Sequence, residues 1–363
     1  MTIKRIISSY IIKEFFRFFL LSISGLSSIY LIIEFIERID KLMKNNLPFH
    51  FMIKFLAFRL PEIIVQMLPV AILMAILLSL GLMTKNGEIL SLMASGLSLY
   101  QIVLPIVLCC VLICAVSILA QEKFLPFLSS QSQWYLSIIK GQRKARKAKE
   151  QNIWLLGKER RLYYLNLINP RENSIYGVTM FQMDDEFIPK MRIDAQKAVY
   201  ENGVWHLYDG VVKEFTQDNI VTSSSFSEYT AYWEVTLNDL AERQKSPEQM
   251  GYSELRNHIK RLKSYGCDTK VHETDYQFKF SSSLSILIFA LLGIPFAVRL
   301  ERAVTFMGIG LSFGLSFIYW LIMHISISCA HTGKLPPLLG AWAGNIIFGA
   351  LGIYLMVKMN SRC

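Results

Sequence analysis

Residues 63–84 read IIVQMLPVAILMAILLSLGLMT, and no charged side chain interrupts them. An α-helix rises 1.5 Å per residue, so this run is long enough to cross a hydrocarbon core of roughly 30 Å. Inside lipid no water can satisfy backbone N–H and C=O groups, so a crossing run must be helical. Working outward, five further stretches have the same character. Phe15 to Ile36 precedes it. A run within Ile89 to Gln121 follows, with its core near Gln101 to Gln121. Phe280–Val298, Ala303–Thr332 and Leu335–Val357 close the chain. The apolar residues amount to 53% and the charged residues to 18%, against about a quarter charged in soluble domains. The fold class expected is an α-helical membrane protein with six transmembrane helices. The first run is too long for a signal peptide, and no small-residue cleavage site follows it.

The stretch from Glu122 to Lys279 has a different texture. Apolar and polar residues alternate over Arg160–Ile168, Ser174–Phe181 and Ser227–Val235, the period of half-buried strands. Asn202-Gly203 suits a two-residue hairpin turn between alternating flanks, and Asp209-Gly210 offers a second turn. About eight to ten short strands fit, in a sandwich or jelly roll. A helix should follow, capped by Ser253, with Leu255, Ile259 and Leu262 on one face and Gly266 at its end. The segment Thr269–Lys279 should lead into the fourth span. The organisation expected is therefore residues 1–121 for spans one to three, 122–249 for an inserted all-β domain, 250–279 for a helical connector, and 280–363 for spans four to six.

Charge sets the orientation only slightly. With the amino terminus inside, Lys4, Arg5, Lys13, Arg17, Lys85, Arg299, Arg302, Lys358 and Arg362 lie inside. Arg38, Lys41, Lys44, Lys54, Arg59 and Lys334 lie outside. The net charge of +10 suits anionic lipid, and no nucleic-acid motif accompanies it. Cys109, Cys110, Cys114 and Cys329 fall in or beside apolar runs, with no C-x-x-C pair. They read as small buried residues rather than as metal ligands or a disulfide framework.

No catalytic constellation emerges. A G-x-x-x-x-G-K-[ST] phosphate loop is absent, as are H-E-x-x-H and G-x-S-x-G. His324 and His331 read as polar groups near a membrane interface rather than as a metal site, and no cofactor is implied. Two stretches carry more information. Glu34, Glu37, Arg38, Asp40, Lys41 and Lys44 continue the helix of span one, with Arg59 and Glu62 flanking Pro61 at the start of span two. Such groups either anchor the helices at the interface or meet an anionic headgroup. Between spans two and three, residues 86–96 can form a short helix. Asn86 or Gly87 would start it, Gly96 would stop it, and Ile89, Leu92 and Met93 would make an apolar stripe able to dock into another protein or lie on a membrane.

Several stretches together carry a family likeness. They are Tyr10-Ile11-Ile12-Lys13-Glu14-Phe15; Glu88 with Met93-Ala94-Ser95-Gly96; Tyr252-Ser253-Glu254-Leu255 with Ile259-Lys260-Arg261-Leu262-Lys263-Ser264-Tyr265-Gly266; and Gly333-Lys334-Leu335-Pro336-Pro337-Leu338-Leu339-Gly340-Ala341-Trp342. In order and spacing the chain resembles the lipopolysaccharide-export permeases of the LptF/LptG (YjgP/YjgQ) type, closer to LptG, over essentially its whole length.

The resemblance implies a multi-pass protein of the cell inner membrane with a periplasmic β-jellyroll. It implies a non-catalytic permease subunit of an ABC transporter that takes lipopolysaccharide from the membrane towards the outer membrane. The partners implied are a dimer of a cytoplasmic LptB-like ATPase, a second LptF/LptG-type permease and an LptC-like periplasmic bridge protein. Residues 86–96 become the coupling helix, with Glu88 meeting a basic residue of the ATPase and Ile89, Leu92 and Met93 filling its groove. Arg38, Lys41 and Lys44 become contacts to lipid phosphates. Glu34 departs from a lysine common in G-like members, and neutralising Arg38 is one role for it. Tyr164, Trp205, Leu207 and Phe215 become candidates for the lipid path, although plain sandwich core explains each equally well until strand register is known. A membrane-anchored receptor or assembly scaffold is the alternative, and it would need no helix for an ATPase. A lipid-modifying enzyme would need paired acid and base groups, for which Asp184, Asp185, Glu186, Asp194 and Asp209 show no spacing.

Overall fold

The computed structural model describes residues 2–140, 151–157, 160–169, 174–184, 188–201, 204–215, 221–233, 246–264, 268–299 and 304–360. The chain divides into a helical unit (residues 1–136, 247–259 and 268–363) and a second unit (residues 137–246 and 260–267).

Among the described residues of the helical unit, six helices are long and apolar enough to cross a membrane. They are α1 (Thr2–Lys44), α2 (His50–Lys85), α4 (Leu99–Lys123), α7 (Lys270–Arg299), α8 (Val304–His331) and α9 (Pro337–Asn360). A helix that is apolar all round belongs in the middle of a bundle. The uncharged run of residues 63–84 does so: α2 packs against α1, α7 and α8, and Ala71, Ile72, Leu73, Ile76 and Leu77 are wholly buried. The fourth span begins at Lys270, so the segment expected to lead into it is helical and continuous with it from Lys270 onward.

Lipid supplies no hydrophobic force between helices, so close approach and hydrogen bonds hold them. A Cβ on Gly340 of α9 would sit 2.4 Å from the Ala330 Cβ of α8, so only glycine allows that contact. Beside it, the Ser281 hydroxyl of α7 donates to the Ala341 carbonyl at 2.5 Å. The Asn345 amide donates to the Ser281 carbonyl at 2.7 Å, and the Tyr319 hydroxyl donates to Asn345 at 2.9 Å. Gln121 of α4 donates to the Ser283 hydroxyl at 2.6 Å.

The third span ends in a further helix, α5 (Leu125–Ile139), so the residues just beyond it are helical and the first strand begins only at Gln151. The connector helix α6 (Tyr252–Ser264) starts as expected, with Leu255 and Ile259 packed against Met250 and Tyr276, but its cap differs. Ser253 lies inside the first turn. The carboxylate of Glu122, on α4, instead accepts from the Tyr252 backbone N–H and from the Ser253 hydroxyl, each at 2.5 Å. An anion suits the positive end of a helix and satisfies a donor that would otherwise be orphaned. The expected stop at Gly266 lies outside the described residues.

The second unit holds one antiparallel sheet of β1 (Gln151–Leu156), β2 (Arg161–Asn169), β3 (Ser174–Met183), β4 (Pro189–Glu201), β5 (Val204–Phe215) and β6 (Val221–Ala231), in chain order. The inserted all-β domain is thus present. Among the described residues, however, its strands are six and long, rather than eight to ten and short, and each pairs only with its neighbours in sequence.

The Asn202-Gly203 turn falls outside the described residues, while Tyr200 pairs with Trp205 and Glu201 with Val204 on either side of it. Asp209-Gly210 is not a turn. It lies inside β5, with Tyr208 opposite Glu228 and Gly210 opposite Phe226. Asp209 takes φ 50°, a left-handed conformation that aspartate tolerates, so the strand kinks without reversing. Gly177, at φ 69°, does the same at the matching level of β3. The buried face then shifts by one residue. Val178 and Met180 are buried on one side of the kink and Ile175 on the other; on β4, Ile193 and Ala195 give way to Ala198. After β6, Trp233 returns across this face, its ring 5.2 Å from Tyr163 and 5.9 Å from Trp205.

Candidate functional site

The loop between α2 and α4 forms a two-ended elbow. Gly87 precedes the short helix α3 (Glu88–Ala94) with φ 74°, and Gly96 follows it with φ 91°, so glycine opens and closes the helix as its sequence suggested. The next helix begins at Ser98, whose side chain accepts from the Gln101 backbone N–H at 3.4 Å.

In the single chain the apolar stripe of α3 lies against the bundle itself, with Leu92 and Met93 half-buried. Ile89 is 3% exposed inside the bundle's own core, and Leu92 and Met93 pack against that core. A seven-residue helix cannot hold itself in water, so its apolar face is used to seat it. What faces outward is Leu90, 73% exposed, with Ser91 and Ala94. Glu88 is half-buried; Tyr10 donates to one of its oxygens at 3.0 Å and Asn86 to the other at 3.3 Å. A cavity of about 510 Å³ lies nearby between α1 and α4, lined by Ser8, Ile12, Gln101, Pro105 and Leu108 among others.

A second cluster lies near the carboxyl end of α1. Glu34 is only 5% exposed, 2.8 Å from Arg38 and 3.3 Å from Arg59, while Arg59 also lies 2.5 Å from Glu62. The Arg38 guanidinium sits 5.0 Å from the Phe55 ring centre. Arg38 is thus committed within the bundle, and neutralising it is what Glu34 does. Lys41 and Lys44, in the last turn of α1, are exposed and form no ion pair among the described residues.

The defining sequence pattern of the lipopolysaccharide export system permeases LptF/LptG matches residues 9–358. The chain belongs to the LptF/LptG family. Lipopolysaccharide export system permease protein LptG of Escherichia coli (strain K12) is 22% identical over 372 residues, covering 98% of this chain and 99% of the relative. The protein of the same name in Haemophilus influenzae (strain ATCC 51907 / DSM 11121 / KW20 / Rd) is 21% identical over 340 residues, covering 91% of each. The chain is therefore a multi-pass inner-membrane permease subunit of the lipopolysaccharide export system.

In this permease the four lipid-path candidates lie in different settings. Trp205 is 1% exposed, Leu207 is fully buried, and both belong to the sheet's core cluster. Tyr164 lies on the opposite face from buried Tyr163, with its ring 4.7 Å from Trp154. Phe215 is half-buried at the end of β5. His331 pairs with Asp275 at 3.1 Å, and the His324 ring stacks on Trp320 at 5.4 Å. Among the described residues no three His, Cys, Asp or Glu side chains gather to hold a metal.

Two features escaped sequence reading, the Tyr10–Glu88 bond and the Glu122 cap. Their partners lie 78 and 130 positions apart, beyond any local pattern. At the start of α6, burial pushes the Tyr252 phenol up to about 12, and its O–H donates to the Lys279 carbonyl at 3.3 Å.

Proposed function

We propose that the permease forms half the wall of a lipid-extracting transporter and that a separate ATPase drives it through the α3 elbow. The elbow carries this reading: a short helix seated by Ile89 presents Glu88 and exposed Leu90. The chain carries no phosphate loop, which fits a reading in which ATP is hydrolysed by another subunit. An LptB-like ATPase dimer in the cytoplasm would take the elbow, with Glu88 against one of its cations. Because α3 is joined directly to α2 and α4 and anchored in their core, a push on it reaches the centre of the bundle.

The elbow then faces the cytoplasm and the inserted β domain, within residues 137–246, faces the periplasm. A second LptF/LptG-type permease completes the cavity, and an LptC-like bridge protein receives the lipid. The relatives named above support an LptG-type role. Lys41 and Lys44 are the cations available to lipid phosphates, since Arg38 is engaged by Glu34. Tyr164 and Phe215, outside the packed core, suit contact with acyl chains better than Trp205 and Leu207 do.

Replacing Glu88 by Lys tests the reading. Copurification of the ATPase and lipopolysaccharide transport should fall together. Undiminished copurification would overturn it.

A further inference from the structure

The Glu88 carboxylate is held from two directions. Asn86, two residues before it, donates to one oxygen; Tyr10, on another helix, donates its phenol O–H to the other at 3.0 Å. The Tyr10 side of this contact is not forced by packing, since the residue is 47% exposed. Seated by its apolar stripe, α3 has its rotation fixed, but Ile89, Leu92 and Met93 leave the Glu88 side chain its rotamers. A flexible carboxylate must lose that freedom when a partner binds, and a donor that has already ordered it lowers the cost of binding. An ionised carboxylate offers about four acceptor positions, so two neutral donors leave room for an incoming cation.

We propose that Tyr10 is a positioning residue for ATPase docking. It presents the Glu88 carboxylate to a cationic side chain of the partner and ties the start of α1 to the elbow. The proposal rests on the elbow being the docking site.

The test uses the full-length permease, coexpressed with its partner permease and placed in nanodiscs, with the ATPase titrated onto it. Tyr10→Phe removes one oxygen and keeps the ring. It should weaken ATPase binding about fivefold, the size expected of one hydrogen bond at an exposed site, and leave the thermal midpoint unchanged. Glu88→Gln should weaken binding further. A double variant of Tyr10→Phe with Glu88→Ala should bind no worse than Glu88→Ala alone, because Tyr10 acts only through that carboxylate. Wild-type affinity in Tyr10→Phe alongside weakened Glu88→Gln would overturn the positioning role and leave the docking site standing. Additive effects would overturn it in the same way. Wild-type affinity in Glu88→Gln would overturn both.

Discussion

Replacing Glu34 by Ala should destabilise the permease by about 2 kcal/mol, although it removes a charge from the interior of the bundle. In the native cluster Glu34 and Glu62 balance Arg38 and Arg59, with contacts of 2.8, 3.3 and 2.5 Å. Deleting one partner of a buried pair typically costs about 3–5 kcal/mol, mostly because the survivor stays buried and unpaired. Here two terms reduce that figure. Glu62 still holds Arg59, and both guanidiniums keep some access to solvent. The remaining ~2 kcal/mol corresponds to roughly a 30-fold change in the unfolding equilibrium. Removing Arg38 as well, in Glu34→Leu with Arg38→Leu, restores charge balance and replaces the pair with apolar bulk, so the double variant should recover most of the loss. Denaturing-detergent titration of the purified chain, followed by tryptophan fluorescence, reads both. A Glu34→Ala midpoint indistinguishable from wild type, or a double variant costing the sum of the two single changes, would refute the charge-balance argument.

The remaining predictions concern packing and the exposed cations. Trp205→Ala should cost about 3–5 kcal/mol in the full chain, because the ring is 1% exposed between Tyr200 and Trp233; loss of near-ultraviolet dichroism on mild heating would report it. Gly340→Ala should lower the thermal midpoint, since its methyl meets Ala330 at 2.4 Å. Gly310→Ala, with nothing within 4 Å, should be neutral or stabilising by about 0.5–1 kcal/mol in the same assay of the isolated chain. Lys41→Asp should reduce photocrosslinking of lipopolysaccharide more than Arg38→Ala does, because Lys41 is exposed and Arg38 is engaged by Glu34; equal reductions would contradict that order.

The spans were legible because lipid leaves the backbone one solution, and residues 63–84 offered no charge to argue otherwise. The strands were legible as alternation, but their lengths were not. Asp209-Gly210 has turn chemistry, and turn chemistry says that φ can be positive, not that the chain reverses. Only the pairing of Tyr208 with Glu228 and Gly210 with Phe226 distinguishes a kink from a turn, and that pairing depends on residues far along the sequence. The cap of α6 failed for a related reason. Ser253 is a good local candidate, yet Glu122 brings a full charge to the same donors from another helix.

The elbow shows why a candidate site can be located without its working face being known. Its apolar residues identified a surface-seeking helix, and the period of Ile89, Leu92 and Met93 fixed one stripe; no period says whether a stripe meets a partner or the chain's own core. The bundle decides it by burying Ile89. A helix that turns its stripe inward gains a fixed seat and gives up most of its apolar area for binding. On the proposed docking, recognition falls mainly to what remains outside, the Glu88 carboxylate and Leu90. Such an interface depends on charge geometry more than on area, so small changes in how Glu88 is held should matter more than changes in the size of the stripe. On the same proposal, the inward anchoring of Ile89 lets a push on the elbow pass to α2 and α4, where a loosely seated helix would absorb it.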